Sequence, residues 1–201
     1  MSTKIDLFKA HKADYVARKK PCLVEIAAAP YLSVAGQGEP GGEAFQNRVA
    51  ILMPVAYTLK FDSKAAGQDY VVCKLEGIWY GEDGASLDDT PQEAWRWRLL
   101  IRVPGFITAA QVAAAAEKVA TKQGKDEVRY VGFETLEEGL CVQMLHVGPY
   151  DQEPETVAAM RAFAEAEGLT LAGPHHEIYL SDPRRVEPAR LKTILRWPVR
   201  S

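Results

Sequence analysis

A seven-residue stretch near the middle of this chain returns near its end. Arg98-Leu99-Leu100-Ile101-Arg102-Val103-Pro104 lies over Lys192-Thr193-Ile194-Leu195-Arg196-Trp197-Pro198, with basic, aliphatic, arginine and proline positions matched, and Ile78-Trp79 falls likewise over Ile178-Tyr179. An internal duplication in a chain of 201 residues narrows the architecture more than any other feature. Two copies of one unit pack about a pseudo-two-fold axis, and their sheets meet so that symmetry-related strands border one central cleft.

The unit itself is legible in periodicity. Residues 1–20 are charged with scattered apolar positions (Ile5, Leu7, Phe8, Tyr15, Val16) and read as a peripheral helix or arm without chemistry of its own. The first half, about 21–104, opens with a strand from Cys22 to Val34 that ends in the turn residues Gly36 to Gly42. A helix follows, with Phe45, Val49, Leu52, Met53, Ala56 and Lys60 at helical spacing, and Pro54 is expected to kink or divide it. Tyr70 to Tyr80 and Trp95 to Val103 read as two strands around the acidic loop Gly81 to Pro91, a solvated connection or a lid. A connector helix at about 106–123, capped by Thr108, leads to the second half at about 126–201. There, strands at Val128–Phe133 and Leu140–Val147, a helix at Pro154–Glu167, and strands at His175–Leu180 and Leu191–Val199 repeat the order. The expected fold class is α+β, built of tandem β-α-β-β modules with a central ligand cleft.

Bulk properties remove several classes of function. A net charge of −3 with dispersed basic residues gives no attraction to nucleic acid or to an acidic membrane surface. Three cysteines without ligand spacing suit a reducing compartment, and no segment has the length of a membrane span, so a cytoplasmic location is expected. There is no glycine-rich phosphate loop opening a helix and no Gly-x-Ser-x-Gly elbow.

One short strand carries the main candidate chemistry. In His175-His176-Glu177-Ile178-Tyr179-Leu180, alternation sends Ile178 and Leu180 to one face and sets Glu177 beside Tyr179 on the other. Taking an ionised carboxylate out of water costs several kcal/mol without a partner, so this position is either a solvated sheet face or a site. Trp79 is read as a cleft residue because Gly77, two positions earlier on the same face, leaves space beside its ring. Trp95 and Trp97 share a face with Leu99 and Ile101, which leaves both core packing and a ligand cage open for them. Tyr57, one helical turn after Met53, is assigned to the core or the cleft floor. His146, His175, His176 and Glu177 suggest zinc only superficially, since adjacent strand residues point to opposite faces, and no metal or other cofactor is expected.

The segments His146-Val147-Gly148-Pro149-Tyr150, Gly173 to Pro183 and Leu191 to Val199 resemble the GyrI-like small-molecule-binding family, and Glu76-Gly77-Ile78-Trp79-Tyr80 with Trp95-Arg96-Trp97 resembles its aromatic-rich members. The resemblance covers nearly everything from Pro21 onward and implies a stand-alone member, since no room remains for a DNA-binding helix-turn-helix. It implies that Glu177 is a cleft acid facing cationic or aromatic ligands. It further implies hydrolysis of cyclopropane-bearing, duocarmycin-type alkylators within an aromatic cage, an activity one subfamily has. On that reading Trp79, Trp97, Trp95 and Tyr57 hold a planar xenobiotic, while Glu177 and Tyr179 do the chemistry. Stoichiometric sequestration of lipophilic cations without turnover is the competing expectation.

Overall fold

The computed structural model describes residues 4–82 and 87–201, so residues 83–86 of the acidic loop lie outside the described residues. The N-terminal arm carries a short helix, α1 (Leu7–Ala10), capped by the Asp6 side chain, and a 3-10 turn at Lys12–Tyr15. The first expected strand is two: β1 (Cys22–Ile26) and β2 (Ala29–Gln37). No Gly, Asn or Asp marks the break at Ala27-Ala28. Partners in the other half impose it.

Helix α2 (Glu43–Ala65) runs on through Pro54, neither divided nor shortened. The backbone bond lost at an interior proline, a cost of about 3 kcal/mol, is offset by burial of Leu52, Val55, Ala56 and Leu59 along one face. Strands β3 (Leu75–Tyr80) and β4 (Arg96–Arg102) follow, with β3 starting later than expected because Tyr70 forms only an isolated bridge to Ile5. Helix α3 (Ala109–Gln123) begins in a capping box between Thr108 and Gln111 and ends at Gly124, whose φ of 64° suits a residue without a Cβ. A 3-10 turn at Asp126–Tyr130 occupies the start of the expected fourth strand, so β5 spans Gly132–Leu136. The remaining elements are β6 (Gly139–Val147), α4 (Glu153–Ala166), the two-residue β7 (Thr170–Leu171), β8 (His175–Tyr179) and β9 (Lys192–Arg200).

All of these strands join one antiparallel sheet in the order β1-β6-β9-β8-β3-β4-β2-β5, with β7 added on β9. Exchanging β1 with β5, β6 with β2, β9 with β4 and β8 with β3 returns the same order reversed. The duplication is therefore real in space, but the halves share one sheet through the β3–β8 pair instead of presenting two sheets to each other. Gly77 stands opposite Glu177 at that pair, with Ile78 opposite His176 and Glu76 opposite Ile178. The register also corrects the sequence overlay. Glu76 pairs with Leu100 and His176 with Arg196, so Arg196 occupies the place of Leu100, two residues from Arg102. An even displacement keeps every side chain on its face, which is why the overlay still read the pattern correctly.

The arm is not peripheral. On the sheet face away from Glu177, His176 is fully buried, with Nε2 3.1 Å from Glu76 Oε2 and Nδ1 2.9 Å from Glu138 Oε1. Arg196 donates to Glu138 at 2.9 Å, to Gln143 at 2.9 Å and to the Asp14 carbonyl. The Tyr15 hydroxyl, brought by the arm, donates to Glu76 at 3.0 Å, and Arg102 donates to Asp14 at 2.7 Å. Burial disfavours the imidazolium of His176, yet Glu138 and Glu76 overcome it and raise the group to about 9. Burial likewise raises Glu138, but His176 and Arg196 win and hold it at about 2. Opposite charges inside a dry layer thus balance one another beneath a lid made by residues 14–16.

Candidate functional site

Residues of β3, β4, β8 and β9 that share the Glu177 face meet α2 and α4 there, and this face gathers most of the candidates. Glu177 is only 9% exposed, so the solvated-sheet reading is excluded. The Tyr179 phenol stands beside its carboxyl, whose Oε1 lies 3.3 Å from His175 Nε2. The Trp79 indole N–H donates to the Tyr179 oxygen at 3.2 Å. Trp79 and Tyr179 are thus joined by a hydrogen bond that sets the phenol next to Glu177.

Gly77 makes that bond possible. A Cβ there would sit 2.8 Å from the Tyr179 hydroxyl and 2.9 Å from Trp79 Nε1. The room beside Trp79 expected for a ligand is instead filled by the phenol. Burial, then the neighbouring Glu177 and Glu153, push the Tyr179 phenol well above its ordinary range, so it persists as a donor at neutral pH.

Glu153 is the residue that sequence reasoning missed. It opens α4 and is 8% exposed beside Glu177. Burial first and Glu177 second push its carboxyl strongly upward, so it holds its proton at neutral pH beside Glu177. The only hint in the sequence was an acid at the start of an amphipathic helix, which reads equally well as a favourable first-turn charge. Tyr150, at the turn before α4, sets its ring against Tyr179 at 6.2 Å and 86°; burial, Glu177 and Glu153 raise it to about 12.

The tryptophans separate into layers. Trp79 is 1% exposed and stacks on Phe45 of α2 at 5.8 Å with the rings 8° from parallel. Trp95 is partly exposed and meets Trp79 edge-on at 6.0 Å. Trp97 is fully buried; its indole donates to the Gly38 carbonyl at 3.1 Å, and its ring occupies the notch over Gly36, where a Cβ would fall 2.1 Å from it. Trp97 is thus a core residue behind Trp79. Tyr57 is 47% exposed on the outer side of α2, packed on Phe61 at 6.5 Å, and does not reach this cluster. Of the histidines, His146 is satisfied by Thr156 at 2.8 Å and the Pro149 carbonyl at 3.1 Å, and His176 belongs to the opposite face.

The arrangement offers a flat apolar wall, a phenol donor, and two carboxyls within one buried patch, of which burial keeps Glu153 protonated. Two cavities of about 210 and 440 Å³ are lined by other residues, the first including Lys19 and His146, the second including Phe8, Lys74 and Leu180. A planar molecule reaching Trp79 must part Phe45 or the rim made by Trp95 and Tyr150.

Comparison with known proteins fits this geometry. The family model for the GyrI-like small molecule binding domain matches residues 20–200. A structure of an uncharacterized conserved protein from Listeria innocua is 40% identical, with a TM-score of 0.90, covering 98% of this chain and all of that one. Two structures described as hydrolases from Listeria innocua are 39% and 41% identical, each with a TM-score of 0.86 and the same coverage. No curated protein matches the chain. Among the described residues no helix is long and apolar enough to cross a membrane.

Proposed function

Because this chain belongs to the GyrI-like small-molecule-binding domain family, we propose that its buried aromatic patch binds planar aromatic xenobiotics and hydrolyses an activated cyclopropane within them. The observation that carries the catalytic half is the Trp79–Tyr179 hydrogen bond, which fixes a phenol beside the buried Glu177 carboxyl. Similarity to proteins described as hydrolases supports turnover over simple capture.

The residues divide the work. Trp79 and Trp95 hold the flat substrate by stacking, with Trp97 bracing Trp79 from behind. Glu177, as its carboxylate, takes a proton from a water that attacks the cyclopropane methylene. A C–O bond forms, the strained C–C bond breaks, and its electron pair moves through the conjugated ring to the carbonyl oxygen. Tyr179 donates a hydrogen bond to that oxygen as phenolate charge develops, and the Trp79 N–H holds the phenol in place. Glu177 passes the proton it gained to the Tyr179 oxygen as Tyr179 gives its own to the phenolate, so the substrate oxygen ends as a phenol and the sum is addition of one water.

The test is incubation of catalytic and stoichiometric amounts of protein with a duocarmycin-type cyclopropane, followed by mass spectrometry, with Glu177→Gln in parallel. Multiple turnovers to a product heavier by one water, lost in the variant, are expected. Unchanged compound retained by the wild type leaves a binding protein and overturns the hydrolytic assignment, and equal turnover by both forms overturns the role of Glu177.

A further inference from the structure

We propose that Glu153, His175 and Glu177 form a site for one divalent transition-metal ion of the zinc type. One donor atom from each residue lies within 4.8 Å of the other two. His175 Nε2 and Glu177 Oε1 lie 3.3 Å apart, which matches the ligand-to-ligand edge of about 3.4 Å expected for a tetrahedron with bonds of about 2.0–2.2 Å. His175 and Glu177 are alternate residues of β8 and share its face, whereas His176 points away. The third donor arrives from α4, which is why strand alternation alone gave no ligand set.

A second observation points to a missing partner. Glu153 Oε1 is buried and has no hydrogen-bond partner, on a residue 8% exposed. Two carboxyl groups and an imidazole, buried together, supply the nitrogen–oxygen donor set that zinc accepts. The His175 ring is held against Trp197 at 4.8 Å, so one of the three donors is oriented in advance. A fourth position remains for water or a ligand atom. This inference does not depend on hydrolysis, since an ion binds whether or not the patch turns over a substrate.

Protein stripped with a chelator is dialysed against zinc and analysed for bound metal, and cobalt is used as the spectroscopic probe. One ion per chain is expected, with the intense visible bands of four-coordinate cobalt. Affinity should fall on the order of 100-fold or more in Glu153→Gln and in His175→Gln, each verified as folded by circular dichroism, and stay unchanged in Glu155→Gln on the exposed side of α4. No retained ion, weak six-coordinate cobalt bands, or an ion insensitive to both variants overturns the site. The cobalt spectrum of the wild type decides the matter even if either variant fails to fold.

Discussion

Gly77 and Glu177 stand directly opposite each other at the β3–β8 pair, where the two halves of the sheet meet. One repeat leaves this axial position bare and the other fills it with a carboxyl. Over the bare half, Trp79 and Tyr179, which the Ile78–Ile178 correspondence makes equivalent, reach toward each other and bond at 3.2 Å. Asymmetry at the symmetry axis thus makes room for the Trp79–Tyr179 bond beside Glu177.

Gly77→Ala tests this directly. Its backbone is ordinary strand, so an alanine carries no conformational penalty, but the new methyl would crowd Tyr179 and Trp79 at 2.8 and 2.9 Å. Overpacking of this kind costs about 1–3 kcal/mol. Denaturant unfolding should register that loss, and hydrolysis or ligand affinity should fall at least tenfold as the Trp79–Tyr179 bond separates.

Trp79→Phe retains a ring for stacking and removes the N–H that Tyr179 accepts. A net hydrogen bond is worth about 1 kcal/mol, or roughly fivefold. Steady-state kinetics should show a lower kcat with KM little changed. A rise in KM alone would mean that the indole serves only to hold the substrate.

Phe45 covers the face of Trp79 as a stacked ligand would. In Phe45→Ala, stability should fall by about 3–5 kcal/mol, while the opened space admits planar aromatic compounds. Calorimetry should find them bound more tightly than by the wild type at a temperature where both are folded.

Acid stability reports the opposite face. Glu138 titrates near 2 in the fold against 4.5 for a free glutamate. Its depressed value means that the stabilisation is fully present above pH 4.5 and is lost as pH falls toward 2, an effect of about 3 kcal/mol. Glu138→Gln should therefore lower stability at neutral pH by a similar amount and flatten the fall in unfolding free energy between pH 4.5 and 2. Chemical denaturation at several pH values checks both.

Much of the architecture could be read from local pattern. The helices at 109–122 and 154–167 were found within a residue or two, because a capping threonine and one apolar face belong to neighbouring residues. The break at Ala27-Ala28 was invisible because β1 and β2 are separated by their partners, β6 for one and β4 with β5 for the other. Residues 128–130 were expected to open a strand but coil into a turn against α3.

The site divides along the same line. Alternation along a strand is a property of consecutive residues, so the sequence by itself determined that Glu177 shares a face with Tyr179 and that the molecule is built twice from one unit. What covers that face depends on side chains brought from afar. Only the tertiary structure decided that Glu153 descends from α4 beside Glu177, that Trp97 seals the core while Trp95 remains at the rim, and that the arm closes the charged layer behind. Those proximities join residues dozens of positions apart, and the free energy of burying them together is a property of the packed sheet and helices.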